Sequence, residues 1–333
     1  MATCVLMVEQ AGPLTTVQDA GRPGHLRHGV TWSGPIDRAA FAAAHRALGN
    51  PHNTPAIELS HGGITLRCLE GEVGFALAGG DFAASVDGAA TGSWTTGVLR
   101  AGQRLQVRDG AAGNWAVLAF AGALDCPRWL GSAATLALVG LGGGRISAGN
   151  QLFIDAGKPP PARPLPRPPQ ATGPIRVVMG PQAAYFDAAA QVALVTQEFR
   201  IAPAFDRMGV VLAGPALVPL SVEMLSAPLL RGAIQVNGAG TATILLADHQ
   251  TTAGYPRIAA VISADLDRAA QLRPGEALRF AAVSVADAIT AARVAAQTEA
   301  QWLTAVAAGQ GSLADRLASA NLIDGVVDAT LGG

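Results

Sequence analysis

The stretch Ala101-Gly102-Gln103-Arg104-Leu105-Gln106-Val107 decides how this chain is read. A small residue and a glycine make a turn. Apolar Leu105 and Val107 then alternate with polar Arg104 and Gln106, the two-residue period of a half-buried strand. The pattern returns as Ala148-Gly149-Asn150-Gln151-Leu152-Phe153-Ile154 and as Pro274-Gly275-Glu276-Ala277-Leu278-Arg279-Phe280. Two copies close the first half of the chain and one closes the second, which points to two similar β-barrel-like units. Further short apolar runs bounded by Gly, Asp or Asn occur at 63–69, 73–78, 116–120, 175–179, 232–236 and 243–247. Their lengths and Val/Ile content predict strands, so the fold class is mainly β.

The two units are divided by residues 157–174, GKPPPARPLPRPPQATGP. So much proline excludes helix and central strand, leaving a stiff, extended connector. The expected organisation is an N-terminal β-barrel subdomain at 1–156, the Pro-rich linker at 157–174, a C-terminal β-barrel subdomain at 175–283 and a helical tail at 284–333. One helix is predicted at 36–48, from apolar Ile36, Ala40, Phe41, Ala44 and Leu48 and the stop Gly49-Asn50. Another is predicted at 284–308, with Ser284 as N-cap and Asp287 in the first turn, and a short third one from Ser312. The tail has too little apolar surface for a core of its own, so it must dock on the body or on a partner.

Composition excludes several function classes. Half of the 333 residues are apolar, ample for a packed core. A net charge of -1 with 14% charged residues excludes the clustered positive field that nucleic acid or an anionic membrane requires. Lysine occurs once, Lys158, inside the connector, which rules out a P-loop, a Schiff-base lysine in a strand and a biotin-carrying lysine. Cys4, Cys68 and Cys126 are odd in number and lack C-x-x-C spacing, which argues for a reducing cytoplasm and against disulfides or structural zinc. No signal peptide and no membrane-spanning run is expected. His25 and His28 lack a third ligand, so no metal site is expected, and Gly140 to Arg145 lacks the helix and lysine of a phosphate loop.

Polar residues that break the Ala/Val background gather in three places. They are Thr15-Thr16-Val17-Gln18-Asp19-Ala20-Gly21-Arg22-Pro23-Gly24 with Ser33-Gly34-Pro35-Ile36-Asp37; Phe205-Asp206-Arg207-Met208-Gly209; and Gly232-Ala233-Ile234-Gln235-Val236 with Ala247-Asp248-His249-Gln250-Thr251-Thr252-Ala253-Gly254-Tyr255-Pro256-Arg257. The first, carried on through Leu48-Gly49-Asn50-Pro51 and Ile57-Glu58, resembles the opening of the biotin-dependent carboxyltransferase-like family. That family includes allophanate-hydrolase-subunit-2-like proteins and the C-type subunit of 5-oxoprolinase. The other two places, with Ile262-Ser263-Ala264-Asp265-Leu266 and Ala270-Gln271-Leu272, resemble its C-terminal signature. The likeness runs from about residue 12 to residue 283. The chain departs from the family's usual residues at Pro35, His45, Asn150, Ala227, His249 and Ala253.

The resemblance implies two cyclophilin-like β-barrel subdomains and a B-type partner subunit; an A-type, lactam-utilisation partner completes the enzyme. The implied activity is ATP-dependent opening of 5-oxo-L-proline to L-glutamate. It also implies two alternatives: the carboxyltransferase part of a biotin-dependent urea- or guanidine-type carboxylase, or a non-enzymatic subunit that binds a kinase inhibitor. Opening an unstrained lactam requires activation of the amide oxygen, cations to meet the resulting charge, and acceptors to hold the N–H. Arg22 and Arg207 are the candidate cations, because guanidinium grips planar anions bidentately. Asp206, Arg207, Gln235 and Asp248 are expected to be catalytic, and Asp19, Arg22, Gln250, Thr251 and Tyr255 to bind substrate. A Ser226–His249–Asp triad lacks the G-x-S-x-G turn and is not expected.

Overall fold

Each small-residue–glycine turn opens a strand. Arg104–Arg108, Gln151–Ala156 and Ala277–Leu278 follow the three turns in the computed structural model, which describes residues 2–308. Gly102, Gly149 and Gly275 have φ of 83°, 88° and 87°, a left-handed conformation in which a Cβ would be strained. The recurring glycine is therefore a backbone requirement. The structure is mainly β with barrel-like sheets and a C-terminal helix, as predicted.

The first half folds into two antiparallel sheets. A seven-stranded sheet runs in the order Gly122–Leu124, Gln151–Ala156, Ala2–Ala11, Ile64–Glu70, Arg104–Arg108, Ala83–Val86, Ala89–Gly92. A six-stranded sheet runs Arg163–Pro164, Thr95–Arg100, Glu72–Ala78, Ala116–Phe120, Ala56–Leu59, Thr16–Gln18. Leu6, Leu66, Phe75, Leu77, Leu118 and Phe120 belong to the buried apolar core they share. The edge strand Arg163–Pro164 comes from the proline-rich connector. It pairs with Thr95 and Thr96, the Thr96 hydroxyl donates to the Pro161 carbonyl at 2.7 Å, and Leu165 is buried. The connector is thus a strap fastened along the sheet, in an edge position where proline's missing N–H does no harm.

The second half is an eight-stranded sheet in the order Ala277–Leu278, Phe199–Phe205, Gly209–Ala213, Ala242–Leu245, Ala233–Val236, Arg257–Val261, Ile175–Met179, Phe280–Ala282, with the last pair parallel. A two-stranded ribbon, Ala227–Pro228 against Thr252–Ala253, stands beside it. Helix α1 (Arg38–Leu48) begins two residues later than predicted, because Asp37 is its cap and accepts from the Ala40 N–H at 2.8 Å. Helices α2 (Ala188–Thr196) and α3 (Ser263–Gln271) bury Leu194, Leu266 and Ala269 in the core of the second half. Helix α4 (Val285–Ala307) is capped by Ser284, as predicted, and is anchored by buried Trp302 and Val306 against α1. The helix expected from Ser312 lies outside the described residues.

Two residues of the first half, Ile36 and Trp115, are fully buried in the core of the second. Gln271 of α3 reaches back the other way. Its amide oxygen accepts from the Asn114 and Trp115 N–H groups at 2.8 and 2.9 Å, and its nitrogen donates to Asp37 at 2.6 Å. Segment 19–37 therefore lies where the halves meet, and it carries the first polar cluster of the sequence.

Candidate active site

Glu58 sits in Ala56–Leu59, a strand buried at every position. A carboxylate there needs a partner. Its partner is Arg207, on the turn between Phe199–Phe205 and Gly209–Ala213, and the two form an ion pair. Arg207 also grips Asp248 with two N–H groups, Nε at 2.9 Å and Nη2 at 3.1 Å, and donates to the Gly34 carbonyl at 2.8 Å. The second oxygen of Glu58 accepts from the Ile36 N–H at 2.6 Å. One buried guanidinium thus fastens a strand of the first half, segment 19–37 and the loop after Ala242–Leu245. Desolvation works against the charge of Arg207, but Asp248 and Glu58 outweigh it and raise its pKa above the ordinary value. Burial pushes the Glu58 carboxyl upward against the pull of Arg207 and the Ile36 N–H.

Beside this cluster, Asp19 is fully buried and saturated. It accepts from the Gly21 N–H at 2.9 Å, the Ser132 hydroxyl at 2.6 Å, and the Ala133 and Ala134 N–H groups at 2.6 and 3.2 Å. Arg128 adds an ion pair at 3.5 Å. A carboxylate holding this many donors is an organiser of loop 132–135 rather than a base. The backbone here is tight. A Cβ on Gly21 would lie 2.8 Å from the Trp32 carbonyl oxygen, and Ser33 is held at φ 54°. The constraint fixes Arg22, which donates to the Ser33 hydroxyl at 3.2 Å and to the Ala134 carbonyl, and lies 5.2 Å from the Trp129 ring centroid. Its contacts are neutral. Burial lowers its pKa, opposed by the more distant charges of Asp19 and Asp248, and its Nε is buried with no hydrogen-bond partner among the described residues.

The structure brings Arg207 and Asp248 into one buried cluster and sets Asp19 and Arg22 close by. The others take no part in the hydrogen bonds and ion pairs by which Arg207 holds this cluster. Asp206 is exposed, and its Oδ1 accepts from the Met208 and Gly209 N–H groups at 2.7 and 3.1 Å, shaping the turn that presents Arg207. Gln250 is exposed, with its carbonyl 2.5 Å from His249 Nδ1, and the Thr251 carbonyl accepts from the Leu229 N–H at 2.9 Å. Gln235 lies between core residues Ile234 and Val236, on the face of the eight-stranded sheet that points away from its core. Tyr255, half exposed, precedes the strand Arg257–Val261. In the sequence Glu58 stands out only as part of the family likeness. The signal that singles it out physically is a lone carboxylate inside the apolar run Ala56-Ile57-Glu58-Leu59, where a cationic partner is obligatory.

Two sets of sheets thus meet at a shared segment on which buried polar residues converge, and known proteins give this arrangement its family. The family model for the carboxyltransferase domain, subdomains A and B, matches residues 28–282, and the chain belongs to that family. It is 35% identical to the C subunit of 5-oxoprolinase from Escherichia coli over 299 residues, 86% of this chain and 94% of that protein. The protein of the same name from Haemophilus influenzae is 34% identical over 82% of this chain and 89% of its own length. Among solved structures the chain is similar to K. lactis urea amidolyase, with a TM-score of 0.81 and 26% identity over 91% of this chain, but it spans only 20% of that chain. Among the described residues no helix is long and apolar enough to cross a membrane.

Proposed function

We propose that this chain is the C-type subunit of an ATP-dependent 5-oxoprolinase, converting 5-oxo-L-proline, ATP and water to L-glutamate together with B- and A-type subunits. The observation that carries this reading is the near full-length match to bacterial subunits of that name. The match to urea amidolyase, by contrast, covers about a fifth of a larger chain.

The two arginines of the junction differ in charge balance. Arg22 is a buried cation whose Nε has no hydrogen-bond partner among the described residues and whose direct contacts include no carboxylate, so it lends the junction uncompensated positive charge. Arg207 serves a different purpose, because Glu58 and Asp248 already neutralise it. It holds segment 19–37 in register across the two halves. The sequence has no G-K-[ST] loop and a single lysine, and Glu58 and Asp248 already take up the charge of Arg207. The ATP site is accordingly read as one shared with a partner subunit.

A second reading, a carboxyltransferase acting on urea or a guanidine, is favoured by the likeness to urea amidolyase, and only there does biotin enter. Co-expression with the B- and A-type subunits, followed by an assay for ATP-dependent glutamate release from 5-oxoproline, separates the two. Turnover by the full set and by no subset supports the proposal. No turnover by the full set sinks it, and turnover requiring biotin and bicarbonate moves the assignment to the second reading.

A further inference from the structure

The eight-stranded sheet carries an irregularity that a repeating β pattern does not explain. Strands Ala233–Val236 and Arg257–Val261 pair Ile234 with Ala259, but the next partner of Gln235 is Arg257, with Ile258 skipped. This is a β-bulge. Its effect is to bury both Ile258 and Ala259 while turning Arg257 to stand directly beside Gln235 on the non-core face. On the other side of Gln235 is Thr243. Bulges that re-aim one side chain are a recurrent device beside binding sites.

Two donors at this spot lack an anionic partner. The Gln235 side-chain nitrogen is buried with no hydrogen-bond partner among the described residues. The Arg257 guanidinium is partly buried and is held from behind. Its Nε and its own backbone N–H both donate to the Gln182 amide oxygen, at 2.9 and 3.0 Å, and its Nη1 donates to the Pro228 carbonyl. Every one of these acceptors is neutral. Burial lowers its pKa, with no carboxylate offsetting the loss among the described residues. A guanidinium fixed by neutral acceptors, on the residue paired across the strands with one whose carboxamide N–H is orphaned, supplies the two kinds of donor that a small planar anion takes.

We infer that Gln235 and Arg257, with Gln182 as the positioning residue, form a binding site for a small carboxylate. Under the function proposed above, on which this part rests, the ligand is the ring carboxylate of the lactam substrate, a group that urea lacks. The site therefore also separates the two readings of the chain.

The test compares binding of 5-oxoproline, of 2-pyrrolidinone, which is the same lactam without its carboxylate, and of acetate, by titration calorimetry on the assembled complex. The parent protein is expected to bind 5-oxoproline at least about tenfold more tightly than 2-pyrrolidinone, in line with one charge-assisted contact. That ratio should fall towards one in Arg257→Gln and in Gln235→Leu, and Arg257→Lys should recover part of it. Gln182→Ala should reduce the ratio without changing 2-pyrrolidinone binding. Unchanged ratios in folded Arg257→Gln and Gln235→Leu variants, with melting curves as the check on folding, overturn the site. If acetate and 5-oxoproline bind with the expected sensitivity but the complex releases no glutamate, the carboxylate site stands and the 5-oxoprolinase reading falls. Glutamate release with an Arg257-independent ratio keeps the 5-oxoprolinase reading and removes the site.

Discussion

His45 lies on α1 with 2% of its surface exposed, its ring 4.4 Å from that of Phe41 and its Nδ1 3.2 Å from the Asn50 amide nitrogen. Burial, and then His52, push its pKa down to about 4. The folded state therefore resists protonation that the unfolded chain accepts near pH 6.5, and His45 removes stability as pH falls from 6.5 towards 4. Asp37 works the other way. Burial and Asp267 push its pKa up to about 6, so the folded state takes its proton first and stability is gained as pH falls through that range. The two slopes overlap, so the informative quantity is a difference. His45→Asn is expected to gain up to about 3 kcal/mol over the parent as pH falls from 6.5 to 4, read from urea melts across that range. An equal offset at every pH would refute the assignment. At Arg207 the expectation is harsher: Arg207→Met strands Glu58 and Asp248 and should cost about 3–5 kcal/mol, whereas adding Glu58→Gln and Asp248→Asn should restore much of it. Thermal melts of the single and triple variants decide this. The polar identity of Arg207 and Asp248 is legible in the sequence because both interrupt apolar surroundings. Their pairing with Glu58 is not, since residues 58 and 207 are brought together only by the docking of one half on the other. Asp19 and Asp206 show the converse: a carboxylate beside a turn looks available until its donors are counted.

Elements are legible wherever the signal is local. The glycine turns, the Ala116–Phe120 and Ile175–Met179 strands and the Ser284 cap each depend on a few neighbouring residues. Helix α2 escapes because its sequence, AAAQVALVT, is apolar nearly all round and offers no stripe to read. Helix α3 escapes because its nine residues follow a strand without a side-chain cap to announce them. Strand order, which pairs Ala2–Ala11 with Gln151–Ala156, has no local signal at all. Helix α4 provides a test at this scale. Trp302 packs its ring 5.9 Å from that of Trp94 and donates to the Pro166 carbonyl at 3.0 Å, so one side chain ties the helix to both the sheet and the strap. Trp302→Ala is expected to cost about 3–5 kcal/mol, with loss of amide protection concentrated in α4 and residues 163–166. Protection lost evenly over the whole chain would contradict that anchoring role.

At the scale of the molecule, the proline-rich connector marks a change of sheet rather than independence. Ile36 and Trp115 are buried in the opposite core, and Arg207, Gln271 and the Arg38–Asp267 pair cross the boundary. Thr31 adds a hydroxyl bond to the Ala247 carbonyl at 2.9 Å. The expected outcome is a single calorimetric transition with matching calorimetric and van't Hoff enthalpies, and two resolved transitions would show that the halves unfold separately. The bulge at Ile258 has a consequence for how such chains are compared. Even pairing of the same residues would set Ile258 opposite Gln235 and carry Arg257 on to Val236, on the core side. Gln182, Gln235 and Arg257 would all still be present in the text of the protein, yet the carboxylate grip would be gone. Two relatives can therefore share all three letters and only one of them hold the anion, because the specification lies in how the strands are phased and not in their spelling.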